Sequence, residues 1–239
     1  MAVNLAQAPN SSQRASQNAS ALKQVFEALH INSCPRFFNF HMHTVCSDGK
    51  LEPEAAIDQA LEIGLRGLAI TDHHTVDGYR IAQRCLEKRQ TSPSAERTAN
   101  HLPHLWTGVE ITSELLDIEV HILGYAFNPD CQAIQPYLQG NRPCGSAALA
   151  TYVIAAIHQA GGLAVLAHPE RYRRSAAELI PEATQLGIDG VEAYYAYGNP
   201  NPWQPSSKQT KQVLQLSQHY RLFNTCGTDT HGTNLLQRL

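Results

Sequence analysis

The chain has 239 residues, 43% hydrophobic and 16% charged, a length that suits one large domain, since α/β barrels reach about 250 residues as a single unit. No stretch approaches the roughly 20 consecutive apolar residues of a bilayer span, which excludes an integral helical membrane protein. Lys+Arg number 18 and Asp+Glu 21, a net charge of −3, which argues against an extended nucleic-acid surface but leaves room for a small basic pocket.

Residues 1–19 (MAVNLAQAPNSSQRASQNA) carry no apolar periodicity and are expected to form a mobile tail. They hold no continuous apolar run, so no secretory signal is expected; Arg14 and Lys23 are too few bases to favour a transit peptide. Leu22, Val25, Phe26 and Leu29 recur at helical spacing, so residues 20–36 are expected to carry a helix packed on the outside of the domain 37–239. From Phe37 onward short apolar runs alternate with helical stretches. Strands are expected at 37–43, 67–72, 105–111, 119–127, 163–167, 189–194 and 222–227, and helices at 53–64, 77–90, 146–160, 175–187 and 206–219. The alternation predicts parallel strands in βα units, and seven strands in one domain suggest a barrel rather than an open sheet. Only residues 112–118 separate the third and fourth strands, too few for a helical crossover, so a hairpin-like distortion is expected there. The Pro-rich run 198–206 reads first as a rigid surface turn, with cover of one barrel mouth as the alternative.

The chain holds 12 histidines, and those in compact motifs fall near predicted strand ends. His41 and His43 are two apart on the first strand, so their imidazoles share a face. Asp48 follows in the next loop. Asp72-His73-His74 ends the second strand, Glu110 is on the third and His121 on the fourth. His168 ends the fifth, Glu192 lies on the sixth, and Asp229-x-His231 follows the last. In a barrel of parallel strands the C-terminal mouth is where sites are built. Any one of these motifs alone could be structural. Together they would be costly to cluster without cations, because buried carboxylates and unpaired polar groups destabilise a core. Asp48, Glu110 and Asp229 carry −3 beside neutral imidazoles; one divalent ion leaves −1 and three leave +3. A net positive site attracts phosphate and lowers the pKa of bound water towards about 7. Mixed His and carboxylate donors suit Zn, Mn or Fe better than Mg or Ca. The six cysteines form no CxxC pair and read as reduced thiols of a cytoplasmic protein; Cys46 and Cys226, though close to the motifs, read as small buried apolar residues.

The segments FHMHTVCSDG, GLAITDHHT, GVEIT, VHILGY, AHPERY and GTDTHG resemble the PHP (polymerase and histidinol phosphatase) family over roughly residues 37–236. The resemblance implies a distorted (β/α)7 TIM-like barrel that holds two or three divalent transition-metal ions and hydrolyses phosphoesters through metal-activated hydroxide. The implied ligands are His41, His43, Asp48, His73, Glu110, His121, His168, Asp229 and His231, with Glu110 bridging two ions. AHPERYRRS followed by GIDGVEAYY is most similar to the small nucleotide-directed members. These are a 3′,5′-nucleoside bisphosphate phosphatase and a 5′→3′ exonuclease on short oligonucleotides. Two departures stand out. Only residues 122–167 lie between His121 and His168, which leaves little room for the inserted lobe common in those members. His74 stands where the family usually has a carboxylate.

The expected substrate is a small phosphorylated molecule, a nucleotide or short oligonucleotide; nothing in the chain fixes an oligomeric state. Arg171, Arg173 and Arg174 follow His168, and Arg171 above all serves either as a bidentate clamp on a non-reacting phosphate or as part of a solvated basic turn. Asp72 is expected to orient a ligand histidine, Glu192 to do the same or to face the barrel interior, and His74 to hold any proton-transfer role of its position. Histidinol-phosphate phosphatase is the alternative substrate assignment. An amidohydrolase-type barrel is a second alternative, although no lysine occurs between Lys88 and Lys208 to be carbamylated. A non-catalytic metal-binding module is the third.

Overall fold

The computed structural model describes residues 15–91 and 102–239. The expected tail lies outside the described residues up to residue 14. Its end is corrected: Ser16 is buried, its hydroxyl 2.7 Å from that of Tyr79, and its carbonyl accepts from the Thr107 N–H. Helix α1 (Ala19–Ala28) starts at Asn18, whose side chain accepts from the Ala21 N–H at 3.0 Å. Its buried face presents Leu22 and Phe26, and Phe26 meets Phe40 and Tyr125 edge-on at 5.2 and 5.7 Å. Burying each such side chain stabilises by about 1.5–3 kcal/mol, so this helix is a docked part of the domain.

Strand β1 (Phe38–Asn39) leads to α2 (Pro53–Ile63), which opens on proline, then to β2 (Gly67–Ala69) and α3 (Asp77–Thr91). Strand β3 (His104–Trp106) runs almost directly into β4 (Gly108–Leu115) and β5 (Ile118–Tyr125). A 3-10 turn at Gly145–Ala148 occupies the start of the expected fourth helix, so α4 covers only Ala150–Gln159. Then come β6 (Leu163–Leu166), α5 (Ala176–Gln185), β7 (Gly190–Tyr194), α6 (Ser207–Tyr220) and β8 (Phe223–Cys226). No helix among the described residues is long and apolar enough to cross a membrane.

The strands pair as two sheets, a parallel β1-β2-β3 and a mixed β4-β5-β6-β7-β8. The expected departure from a regular parallel pattern falls at β5. β5 runs antiparallel to both β4 and β6, while β6-β7-β8 are parallel. The hairpin anticipated at 112–118 turns on Leu116 and Asp117, at φ 52° and 59°, the positive pair that matches a two-residue connection to strand twist. Backbone hydrogen bonds link the two sheets on both sides. The Phe40 N–H donates to Cys226 O, Asp229 N–H to His41 O and His43 N–H to Thr230 O; on the other side Glu110 N–H donates to Asp72 O and His74 N–H to Glu110 O. Every one of these links lies just past a strand or on β4, so the sheets are tied where the histidine motifs sit. The Pro-rich run 198–206 is pinned by the buried Trp203 and by the Ser206 N–H, which donates to Tyr195 O.

Candidate metal centre

The period of two past β1 delivers His41 and His43 to one side: their Nε2 atoms lie 3.1 and 3.0 Å from Glu110 Oε2 and both 3.3 Å from Asp229 Oδ1. Glu110 sits on β4, and its other oxygen, Oε1, is 2.8 Å from His121 Nδ1 and 3.4 Å from His168 Nε2. Antiparallel pairing sets Thr112 opposite His121, so His121 returns on β5 beside the strand that carries Glu110. His73 Nε2 approaches Glu110 Oε2 at 3.7 Å and Asp48 Oδ2 at 3.8 Å. His231 reaches Asp48 Oδ2 at 3.4 Å and Asp229 Oδ1 at 3.5 Å. All nine expected ligands thus meet around Glu110, Asp229 and Asp48. Asp48 is their solvent-facing member, with 56% of its side chain exposed.

The approach of this backbone is tight. A Cβ on Gly227 would lie 2.2 Å from His41 Cβ, so only glycine lets the loop after β8 pass the first histidine. His168 and Asp229 adopt φ of 27° and 53°. Left-handed conformations of such residues cost about 1–3 kcal/mol each and cluster at functional sites. At His168 the reward is visible, since its N–H donates to Glu192 Oε2 at 3.0 Å.

The donors of this cluster do not all satisfy one another. His43 Nε2 is within ion-pair distance of two carboxylates, yet neither of its ring nitrogens has a hydrogen-bond partner, and His73 Nδ1 and His168 Nδ1 are also buried without one. Buried polar atoms left in this state cost about 1–3 kcal/mol. Glu110 takes His41 Nε2 at 3.1 Å and His121 Nδ1 at 2.8 Å, but other ring nitrogens crowd the same carboxylates without a bond, and ligand atoms gathered within 4.8 Å in this way fit cations between them. Three such groups occur: His41, His43, Glu110 and Asp229; His73, Glu110 and His121; and His43, Asp48, His73 and His231. The residues present therefore fit bound metal ions.

Titration points the same way. Burial pushes the Glu110 and Asp229 carboxyls up, but the neighbouring histidines, His41 foremost, together outweigh it and both stay well below the usual carboxylate range. Burial pulls His43 down, yet Asp229 and Glu110 raise it to about 9. His73 is held down at about 4 by burial and by His43 and His121. Without metal, protonated imidazoles neutralise the carboxylates; divalent ions would displace those protons.

The surrounding residues differ from expectation in part. Glu192 faces an expected ligand: its carboxylate takes His41 Nδ1 at 3.0 Å. Asp72 does not. It accepts from the Thr44 N–H at 2.6 Å, the Thr44 hydroxyl at 2.7 Å and the Ser47 hydroxyl at 2.8 Å, so it braces the turn that carries Asp48. His74 lies behind the cluster with Nε2 3.0 Å from Thr112 Oγ1, and burial holds its pKa down at about 4, so it faces neighbouring protein as a neutral ring. Arg171 Nη1 donates to Asp229 Oδ2 at 3.1 Å while 43% of the side chain stays exposed. Arg173 is exposed, whereas Arg174 is spent on Leu116 O and Glu178. Cys226 is fully buried, but Cys46 is only half-buried. Two residues escaped the sequence reading, Tyr195 and Arg238. Both bond to Asp229 Oδ2, at 2.6 and 2.8 Å. Neither sits in a metal-type motif, so no sequence signal marked them.

A family model described as the PHP domain matches residues 39–227. The 5′-3′ exoribonuclease Rnm of Salmonella typhimurium is 24% identical over 265 aligned positions, covering 81% of this chain and 85% of that protein. Escherichia coli Rnm is 25% identical with the same coverage. Among solved structures, a Bifidobacterium adolescentis protein assigned as a metal-dependent phosphoesterase superposes with a TM-score of 0.65 at 24% identity, over 83% of this chain and 89% of that one. A Chromobacterium violaceum protein described as an amidohydrolase with bound sulfate gives 0.65 at 19% identity, over 84% and 90%. The structural likenesses establish a shared fold.

Proposed function

This chain is a metal-dependent phosphoester hydrolase of the PHP domain family, and we propose that it acts on the phosphate esters of small nucleotides or short oligonucleotides. The observation that carries the reading is Glu110, a buried carboxylate whose two oxygens are each approached by imidazoles, with an arginine at the rim of the same cluster. We also read the two sheets and their linking hydrogen bonds as the distorted seven-membered barrel of the family, β3 and β4 counting as one bent strand. The curated relatives named as exoribonucleases support a nucleotide substrate.

His41, His43, Asp48, His73, Glu110, His121, His168, Asp229 and His231 would hold two or three ions of Mn, Zn or Fe, which when bound would lower the pKa of water and offer positive charge to the phosphoryl oxygens. The chain's own residues do the rest. Glu192 fixes the His41 ring by its Nδ1, which leaves Nε2 to face the cluster. Asp72 holds the Thr44–Ser47 turn, and so the placement of Asp48 at the mouth. Arg171 commits only Nη1 to protein acceptors, leaving the rest of its fork for a non-reacting phosphate. Tyr195 donates to Asp229 and keeps its proton, because burial and that carboxylate push its pKa far up.

A phosphate-release panel with added Mn2+ tests the reading: adenosine 3′,5′-bisphosphate, a 5′-phosphorylated short oligonucleotide and histidinol phosphate. Faster turnover of either nucleotide substrate is expected. Preference for histidinol phosphate would replace the substrate assignment, and no release from any of the three would remove it.

A further inference from the structure

Residues 231–239 form neither helix nor strand, yet they are fixed across the site. The Leu235 side chain is buried, its N–H donates to Gln59 Oε1 at 2.9 Å, and its carbonyl accepts from Asn39 Nδ2 at 3.3 Å. The Thr230 hydroxyl donates to Gln237 O at 2.7 Å, and the N–H of His231, itself a candidate ligand, donates to Arg238 O at 2.7 Å. The loop closes so tightly that a Cβ on Gly232 would lie 2.9 Å from the Leu239 carbonyl carbon. What the loop delivers is the Arg238 guanidinium. Its Nε meets Asp229 Oδ2 at 2.8 Å, and only 14% of the side chain is exposed.

Asp229 therefore divides its oxygens. Oδ1 faces His41 and His43, while Oδ2 takes three donors, from Arg238, the Tyr195 hydroxyl and Arg171. The two arginines are not equivalent, for Arg171 is largely open to solvent whereas Arg238 is enclosed by its own loop. A carboxylate at a left-handed backbone position has no strand or helix to hold it, so its orientation rests on these donors.

We propose that Arg238 is a positioning residue that fixes Asp229 through Oδ2, so that Oδ1 is held ready for a cation shared with His41, His43 and Glu110. The loop 231–239 thereby sets the metal affinity of that half of the centre, and Arg171 is left for substrate. This rests on the reading that the cluster binds cations. Partners that orient a ligand are typically worth 10–100-fold in metal affinity.

The test is a titration of the metal-stripped full chain with Mn2+, read by the electron paramagnetic resonance of free Mn2+, with the thermal midpoint of each metal-free protein measured alongside. Arg238→Gln is expected to weaken the tightest Mn2+ site by about 10–100-fold. Arg238→Lys, which swaps a planar fork for a point charge, is expected to weaken it less, though measurably. The Mn2+-induced rise in midpoint should shrink in both, a change that a purely structural role would not produce. If Arg238→Gln, or Arg238→Lys should the first not fold, binds Mn2+ as tightly as the wild type, Arg238 does not position Asp229 and the function stands. If the wild type takes up neither Mn2+, Zn2+ nor Fe2+, the functional reading falls and this inference with it.

Discussion

Two groupings of histidine with acid lie at opposite ends of the same strands. Past β1, β2, β6 and β8 and on β4 and β5, six imidazoles crowd three carboxylates, several ring nitrogens lack partners, and the backbone is strained at His168 and Asp229. At the other end, where β6 and β7 begin, His158 Nε2 meets Asp189 Oδ2 at 2.7 Å, and the same oxygen accepts from the Ala164 N–H at 2.8 Å. This second pair is complete. It is open to solvent and adopts no unusual backbone. The difference teaches what marks a metal centre, which is more donors brought together than can satisfy one another.

The largest effect should come from breaking the first grouping. His168 is buried, contributes Nε2 beside Glu110 and leaves Nδ1 unpaired. His168→Ala should lower phosphate release by at least about 100-fold, since a metal's charge stabilisation is worth several kcal/mol. The circular dichroism spectrum should stay that of the wild type. Turnover within a few-fold of wild type would remove His168 from the ligand set.

Removing the ions should show in the stability of the fold as well. A ligand at 100 times its dissociation constant stabilises the folded state by about 2.7 kcal/mol. Chelator-stripped protein should therefore melt several degrees lower and recover on adding Mn2+. Unchanged melting would mean that the unpaired nitrogens tolerate their burial without a cation, and the contrast between the two ends of the strands would lose its meaning.

At the rim the comparison narrows to the two arginines on Asp229. Arg171→Ala should raise KM for a nucleoside bisphosphate about tenfold, the value of one charge-assisted hydrogen bond of roughly 1.5 kcal/mol. A simple monoester should be much less affected, and kcat should change little. Equal effects on both substrates would place Arg171 with Arg238 as a brace for Asp229.

Much of the centre could be read from the chain because it obeys short-range rules. His41 and His43 share a side through the period of two, and seven intervening residues force the hairpin that returns His121 beside Glu110. What stayed hidden depends on contacts between distant segments. Asp72 adjoins His73 in sequence, yet its carboxylate turns to Thr44 and Ser47, because the end of β2 lies beside the turn after β1. Tyr195 and Arg238 reach Asp229 from the residue after β7 and from a loop without periodic pattern. The start of α4 moved from 146 to 150 because a tighter 3-10 turn spans Gly145–Ala148. Docking of Ser16 against Tyr79 likewise left no trace in the polar composition of residues 1–19.

The smallest effect belongs to the satisfied pair. The Asp189 carboxylate raises the His158 pKa, against an opposing contribution from burial and from Lys23. A histidine whose pKa is higher folded than unfolded stabilises the protein fully below its unfolded value, near 6.5, and loses that contribution as pH rises through the folded value. With 38% of the His158 side chain exposed, the contribution stays within the roughly 0.2–1 kcal/mol of a surface pair. His158→Gln should therefore cost more in urea denaturation at about pH 5 than at about pH 9, and metal-supported phosphate release should be unaffected at both. A cost independent of pH would mean that the Asp189 carboxylate holds Ala164 and the strand start by itself. A loss of phosphate release would mean that the two ends of the strands are coupled.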